Sequence, residues 1–147
     1  MGTKRTNIAA GTALVIAAPV ALWGLMGQQD SEGFARSELT YSVEPYRALE
    51  GWATGIGVAA LLLTTVATVL LVHAGRARTM APHRWLVLLP LIAAGLFAAW
   101  GHRVLTAGEI GANIGAGLVL FGAPFALALV VVALSLAVHQ RPVRPRT

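Results

Sequence analysis

Five residues carry most of the chemistry this sequence can offer: Glu50, His102, Arg103, Glu109 and Asn113. Two carboxylates beside a histidine suit general acid–base work. An arginine among them can neutralise the acids or hold an anionic head group. Each stands within a few residues of one end of a long charge-free stretch, and the three ends concerned have the same sense. We therefore expect them to be able to converge on one polar cluster at a single mouth of a helical assembly. The commoner use of such residues is separate anchoring of each helix at a membrane boundary. No residue is assigned a catalytic role.

The remaining histidines, His73, His83 and His139, fall at the opposite ends of those stretches. A haem held in a bundle needs two histidines at matched depth on facing helices. His73 and His139 meet the depth condition, but both sit beside basic loops at the water boundary. We read them as snorkelling side chains and expect no cofactor and no metal. The chain has no cysteine, which excludes disulfides, thiolate metal sites and cysteine redox relays. Glycines 51, 55 and 57 lack the preceding strand of a phosphate-binding loop.

Four charge-free stretches must position these groups. They run from Ile8 to Gly27, Gly51 to Val72, Trp85 to Gly101 and Ile110 to Val138. A helix needs about 20 apolar residues to cross a bilayer. The sequence thus predicts an all-α protein, a single four-helix transmembrane bundle. Its helices are placed at 8–27, 46–73, 85–101 and 110–138, with an outer loop at 28–45. Composition agrees, because 56% of the 147 residues are apolar and only 12% charged, half the supply of an ordinary soluble domain. The first stretch follows Lys4 and Arg5 like a signal peptide, but no A-x-A-like site comes after it. We read it as an uncleaved anchor.

Arginine and lysine set the direction. With the N-terminus inside, Lys4, Arg5, Arg76, Arg78, Arg84, Arg141, Arg144 and Arg146 are cytoplasmic, and all six acids lie outside with Arg36, Arg47 and Arg103. Both termini are then cytoplasmic, in a multi-pass protein of the cell membrane. The net charge of +5 reports this orientation rather than nucleic-acid binding. Trp23, Trp52, Trp85 and Trp100 sit near span ends, where indoles prefer to lie.

Helices in lipid pack through small residues. The candidates are Ala13 and Ala17 in an i+4 alanine stripe, Gly51 and Gly55, and Gly111 and Gly115. A weak echo relates spans one and two to spans three and four: Trp23-Gly24 and Trp100-Gly101 precede similar Glu-and-Gly openings. Pro19, Pro90 and Pro124 interrupt helices and tend to kink them. In the outer loop, Leu39, Tyr41 and Val43 alternate as an extended segment does. Pro45 suits a first helical turn with Glu44 as cap. The tail from Arg141 to Arg146 contains a short P-x-x-P unit.

No ionisable residue falls at mid-membrane, where coupled carriers normally keep one. The bilayer is the first partner. Beyond it, we expect a non-enzymatic accessory or regulatory subunit that meets a membrane-protein partner. A small homo-oligomeric channel or transporter is the second reading, supported by the proline kinks and by Thr64, Thr65 and Thr68. The third is a membrane-embedded enzyme working through Glu50, Glu109 and His102.

Overall fold

A computed structural model describes residues 2–110 and 113–140. It contains four long helices: α1 (Gly2–Met26), α2 (Arg47–Arg76), α3 (Trp85–Leu105) and α4 (Ile114–His139). Each is long and apolar enough to cross a membrane. The boundaries differ from expectation where local chemistry intervenes. Lys4 and Arg5 stay in α1, because a solvated charge does not break a helix. Tyr46 and Pro45 stay outside α2, and no side chain caps its first turn. Glu44 instead approaches Arg47 at 3.9 Å on the surface. The fourth helix starts four residues late, since Gly108–Glu109 forms a short strand and Asn113 caps the first turn of α4.

Two helix ends show how the chain turns. Gly27 takes a left-handed φ of 66° directly after α1, a conformation free of cost only to glycine. After α2 the same job falls to Arg78, at φ 53°. Its N–H donates to Gly75 O at 3.1 Å and that of Thr79 to Ala74 O at 2.9 Å. Both bonds satisfy carbonyls that the helix leaves open.

The helices alternate in direction, so the two ends of the molecule differ in charge. The acidic end carries the six acids; the basic end carries Lys4, Arg5, Arg76, Arg78 and Arg84. The bundle is open: α2 packs on α1, α1 on α3 and α3 on α4, while α2 and α4 have at most marginal contact with one another.

The α1–α2 seam buries Ala10, Leu14, Ala17 and Ala21 against Ala53, Ala60, Ala67, Leu71 and Ala74. Ala13 is half-buried beside that cluster. At its acidic end the seam closes to backbone contact. A Cβ on Gly24 would stand 2.5 Å from both Ala53 O and Gly57 Cα. Gly51 and Gly55, expected to pack, have nothing within 4 Å of a Cβ position. Each stands two residues from Ala53, about 160° round the helix from the buried stripe. The i+4 alanine stripe of α1 also drifts round its helix, so a single seam uses alternating steps of three and four.

The other seams rest on glycine as well. Pro19 fills a notch at Gly95, where a Cβ would meet its Cγ at 2.5 Å, so this proline fits as well as interrupts. Between α3 and α4, Gly101 lies under Val119, Gly115 under Val104 and Gly122 under the Phe97 ring. Gly111 lies outside the described residues, as does the tail from Arg141. In each hairpin the glycine of the Trp-Gly pair stands at the helix contact, Gly24 against Gly57 and Gly101 against Val119.

Candidate functional site

The acidic end is the polar part of the fold, and it ties the two hairpins together. Strand β1 (Thr40–Tyr41) from the α1–α2 loop pairs antiparallel with β2 (Gly108–Glu109) from the α3–α4 loop, Thr40 opposite Glu109 and Tyr41 opposite Gly108. Ser31 N–H donates to Gly108 O at 2.9 Å, and Val43 N–H to Leu105 O at 3.0 Å. The extended character of residues 39–43 is thus satisfied by a partner strand. Glycine is required at 108, where a Cβ would lie 2.8 Å from Leu39 Cδ1 and the Tyr41 ring.

Asp30 organises this junction. Its Oδ1 accepts from Gly108 N–H and from Gln28 Nε2, both at 2.9 Å, and its Oδ2 accepts from Tyr41 OH at 3.4 Å. Gln28 Nε2 also donates to Thr106 O at 2.5 Å. The Thr106 hydroxyl turns back to His102 O at 2.8 Å, a common way for threonine to satisfy itself within a helix.

Beneath this junction lies Arg103, only 2% exposed. Its Nε donates to Trp23 O at 2.7 Å and its Nη1 to Gln28 Oε1 at 3.5 Å. The guanidinium carbon sits 4.3 Å from the centroid of the Trp23 ring, within cation–π range. Trp23 O is one of the last four carbonyls of α1, which have no partner within their helix. A cation there also meets the negative end of the α1 dipole. Arg103 of α3 therefore caps α1. Trp23 Nε1–H donates to His102 Nδ1 at 3.2 Å.

Glu50, in the first turn of α2, faces the same place, and its charge acts on Arg103. Glu50 Oε1 and Arg103 Nη2 are both buried without a hydrogen-bond partner. Both residues line a cavity of about 90 Å³, together with Trp23, Gln28 and His102. A cavity of that size with several polar groups in an otherwise apolar wall has room for water. The arrangement balances charge and locks three helices; it contains no nucleophile poised beside a base.

Of the five residues singled out from sequence, Glu50, His102 and Arg103 meet at this cavity. Glu109 and Asn113 do not line it. Glu109 belongs to β2, so the cavity holds no Glu50–Glu109 pair. Asn113 caps α4: its Oδ1 accepts from Ala116 N–H at 2.8 Å and its Nδ2 donates to Val104 O at 3.0 Å. Sequence reasoning missed Gln28, Asp30 and Thr106, and it took Trp23 only as an interface anchor. Gln28 and Asp30 follow the end of α1 closely, and Thr106 directly follows α3.

Elsewhere, His73 and His139 stand in the last turns of the two flanking helices, which have at most marginal contact with one another. His139 Nδ1 donates to Ser135 O at 3.1 Å. Thr65 and Thr68 bond back to Leu61 O and Thr64 O on their own helix. Among the described residues no group of three or more histidines and acids is placed to hold a metal ion. No family model, no curated protein and no solved structure matches this chain.

Proposed function

We propose that the chain is a non-enzymatic accessory or regulatory subunit of the cell membrane, docking to another membrane protein through a flanking helix. One observation carries this reading: Gly51 and Gly55 lie on the open side of α2, on an apolar surface, with nothing above them. Lipid has no use for glycine there, and a glycine costs a helix about 0.5–1 kcal/mol relative to alanine. Another helix does use it, because small residues let two backbones approach. Trp52, 73% exposed, stands beside them.

The charge division supports an orientation with the basic end and both termini in the cytoplasm. The acidic end is then a compact outer cap that holds the two hairpins in register while α2 and α4 present their free faces. The internally satisfied hydroxyls of Thr65 and Thr68 lend no weight to a pore. The test is gentle detergent extraction from the native host, followed by native mass measurement. A hetero-complex that dissociates on Gly55→Leu is the expected result. A homo-oligomer transfers support to the channel or transporter reading, and a monomer without partners refutes both.

A further inference from the structure

At the basic end, α1, α3 and α4 enclose a cavity of about 550 Å³. The space exists because α1 and α4 both pack on α3 but have at most marginal contact with each other. Small residues widen it, Gly11 on α1 and Ala137 on α4. A Cβ on Gly11 would come within 3.3 Å of Leu88 Cδ2. Two side-chain bonds hold the rim. Asn7 of α1, only 7% exposed, donates from Nδ2 to Thr79 O at 3.4 Å. Gln140, directly after α4, donates from Nε2 to His83 O at 3.4 Å.

The lining changes from polar to apolar with depth along all three helices. Asn7, His83, Arg84 and Gln140 line it nearest the basic end; Gly11, Leu88 and Ala137 line it three or four residues further in. Helices α1 and α3 start from this end and α4 finishes at it, so the same gradient appears in both chain directions. Thr12 carries the one hydroxyl at depth, where a threonine can bond back to its own helix. Four residues of helix span about 6 Å, so the cavity reaches partway into the ~15 Å of one hydrocarbon leaflet. Arg84 is half-buried in this lining. Among the described residues the one ion pair, Arg47 with Glu44, lies at the other end. All six acids lie at that other end too, and beyond Gln140 the sequence adds only Arg141, Arg144 and Arg146 as charged side chains. Arg84 thus has no acidic side chain to meet it.

We propose that this cavity binds one anionic phospholipid, its phosphate held by Arg84 at the rim and the upper part of one acyl chain lying against Ile8, Leu88 and Ala137. Charge selects the head group. Guanidinium matches phosphate geometry with two parallel hydrogen bonds, and basic pockets between spans on the cytoplasmic side suit such groups. The apolar depth selects a lipid over a free anion, which would satisfy Arg84 and leave the inner walls uncovered. A second copy in the same membrane orientation would set its own basic end beside this one, so like charge disfavours that occupant. This assignment rests on the membrane placement in the proposed function, and its test separates the two.

The full chain in detergent micelles is titrated with phosphatidylglycerol and phosphatidylcholine of identical acyl chains, with bound lipid read by native mass spectrometry. Phosphatidylglycerol is expected to bind at least about five-fold more tightly. Arg84→Gln is expected to abolish that preference. Arg76→Gln, which changes an exposed arginine at the same end but outside the cavity, is expected to keep it. Ala137→Phe fills the cavity from the α4 side and is expected to weaken both lipids. Equal affinities overturn the proposal, as does a preference that survives Arg84→Gln or falls equally with Arg76→Gln. Lipid binding undiminished in a folded Ala137→Phe chain overturns it too; if circular dichroism shows that variant unfolded, the two arginine variants decide. Displacement of phosphatidylglycerol by an equal concentration of inorganic phosphate assigns the site to a free anion and overturns the lipid. A chain that stays in aqueous solution without detergent overturns the membrane placement itself.

Discussion

Replacing single glycines by alanine should divide them sharply by position. At Gly24 the new Cβ would begin 2.5 Å from Ala53 O and Gly57 Cα and 2.7 Å from Gly57 N, all backbone atoms that cannot rotate away. Reaching ordinary contact at 3.4 Å requires α1 and α2 to part by about 0.9 Å at their closest point. A gap of that size forfeits a quarter to a half of each atom pair's attraction, and roughly 50 pairs at 0.1–0.2 kcal/mol lose about 2–3 kcal/mol together. Better helix propensity returns about 1 kcal/mol. The net expectation for Gly24→Ala is therefore a loss of about 1–2 kcal/mol, with Gly57→Ala alike. Gly55→Ala meets open space and should gain about 0.5–1 kcal/mol in the isolated chain. Reversible unfolding by dodecyl sulfate in mixed micelles, followed by circular dichroism, measures both. A Gly24→Ala variant as stable as Gly55→Ala would refute the packing argument.

Three further substitutions probe the ends of the helices. Arg103→Met removes the cap on Trp23 O and the bond to Gln28 Oε1, which should cost about 2–3 kcal/mol in the same assay; Glu50→Gln combined with it should recover part of that loss, because the half-buried Glu50 no longer has the Arg103 charge nearby. Arg78→Gly relieves a left-handed arginine and should stabilise the chain by about 1 kcal/mol, visible as a raised midpoint. Asn113→Ala deletes the α4 cap and should cost about 1 kcal/mol, with hydrogen exchange rising first at the amide of Ala116.

The acidic end was only partly legible from residue order. Glu50, His102 and Arg103 were marked by depth and opposite charge, and depth follows directly from counting residues along a helix. Glu109 and Asn113 share that depth yet serve a strand and a cap. Depth says nothing about rotation around the helix or about local backbone bonding. Gln28 and Asp30 left no mark because their partners, Thr106 O and Gly108 N–H, are backbone groups more than seventy residues away. Any residue type offers those groups, so no composition or spacing announces them. Gly57 was passed over for Gly51 and Gly55 for a related reason. A glycine's usefulness depends on what approaches it, here the backbone of Gly24.

Four long helices and the sorting of charge to the two ends follow from the sequence alone. Where no water is at hand, a backbone must satisfy its hydrogen bonds within its own segment, so an apolar run of sufficient length becomes a helix whatever surrounds it. The order of the helices, the choice of Gly24 and Gly57 as the point of closest approach and the burial of Arg103 belong to the tertiary structure. A helix apolar on every side has no polar face to fix its rotation. Rotation is set instead by the fit of small residues on two helices at once, which neither sequence segment carries by itself.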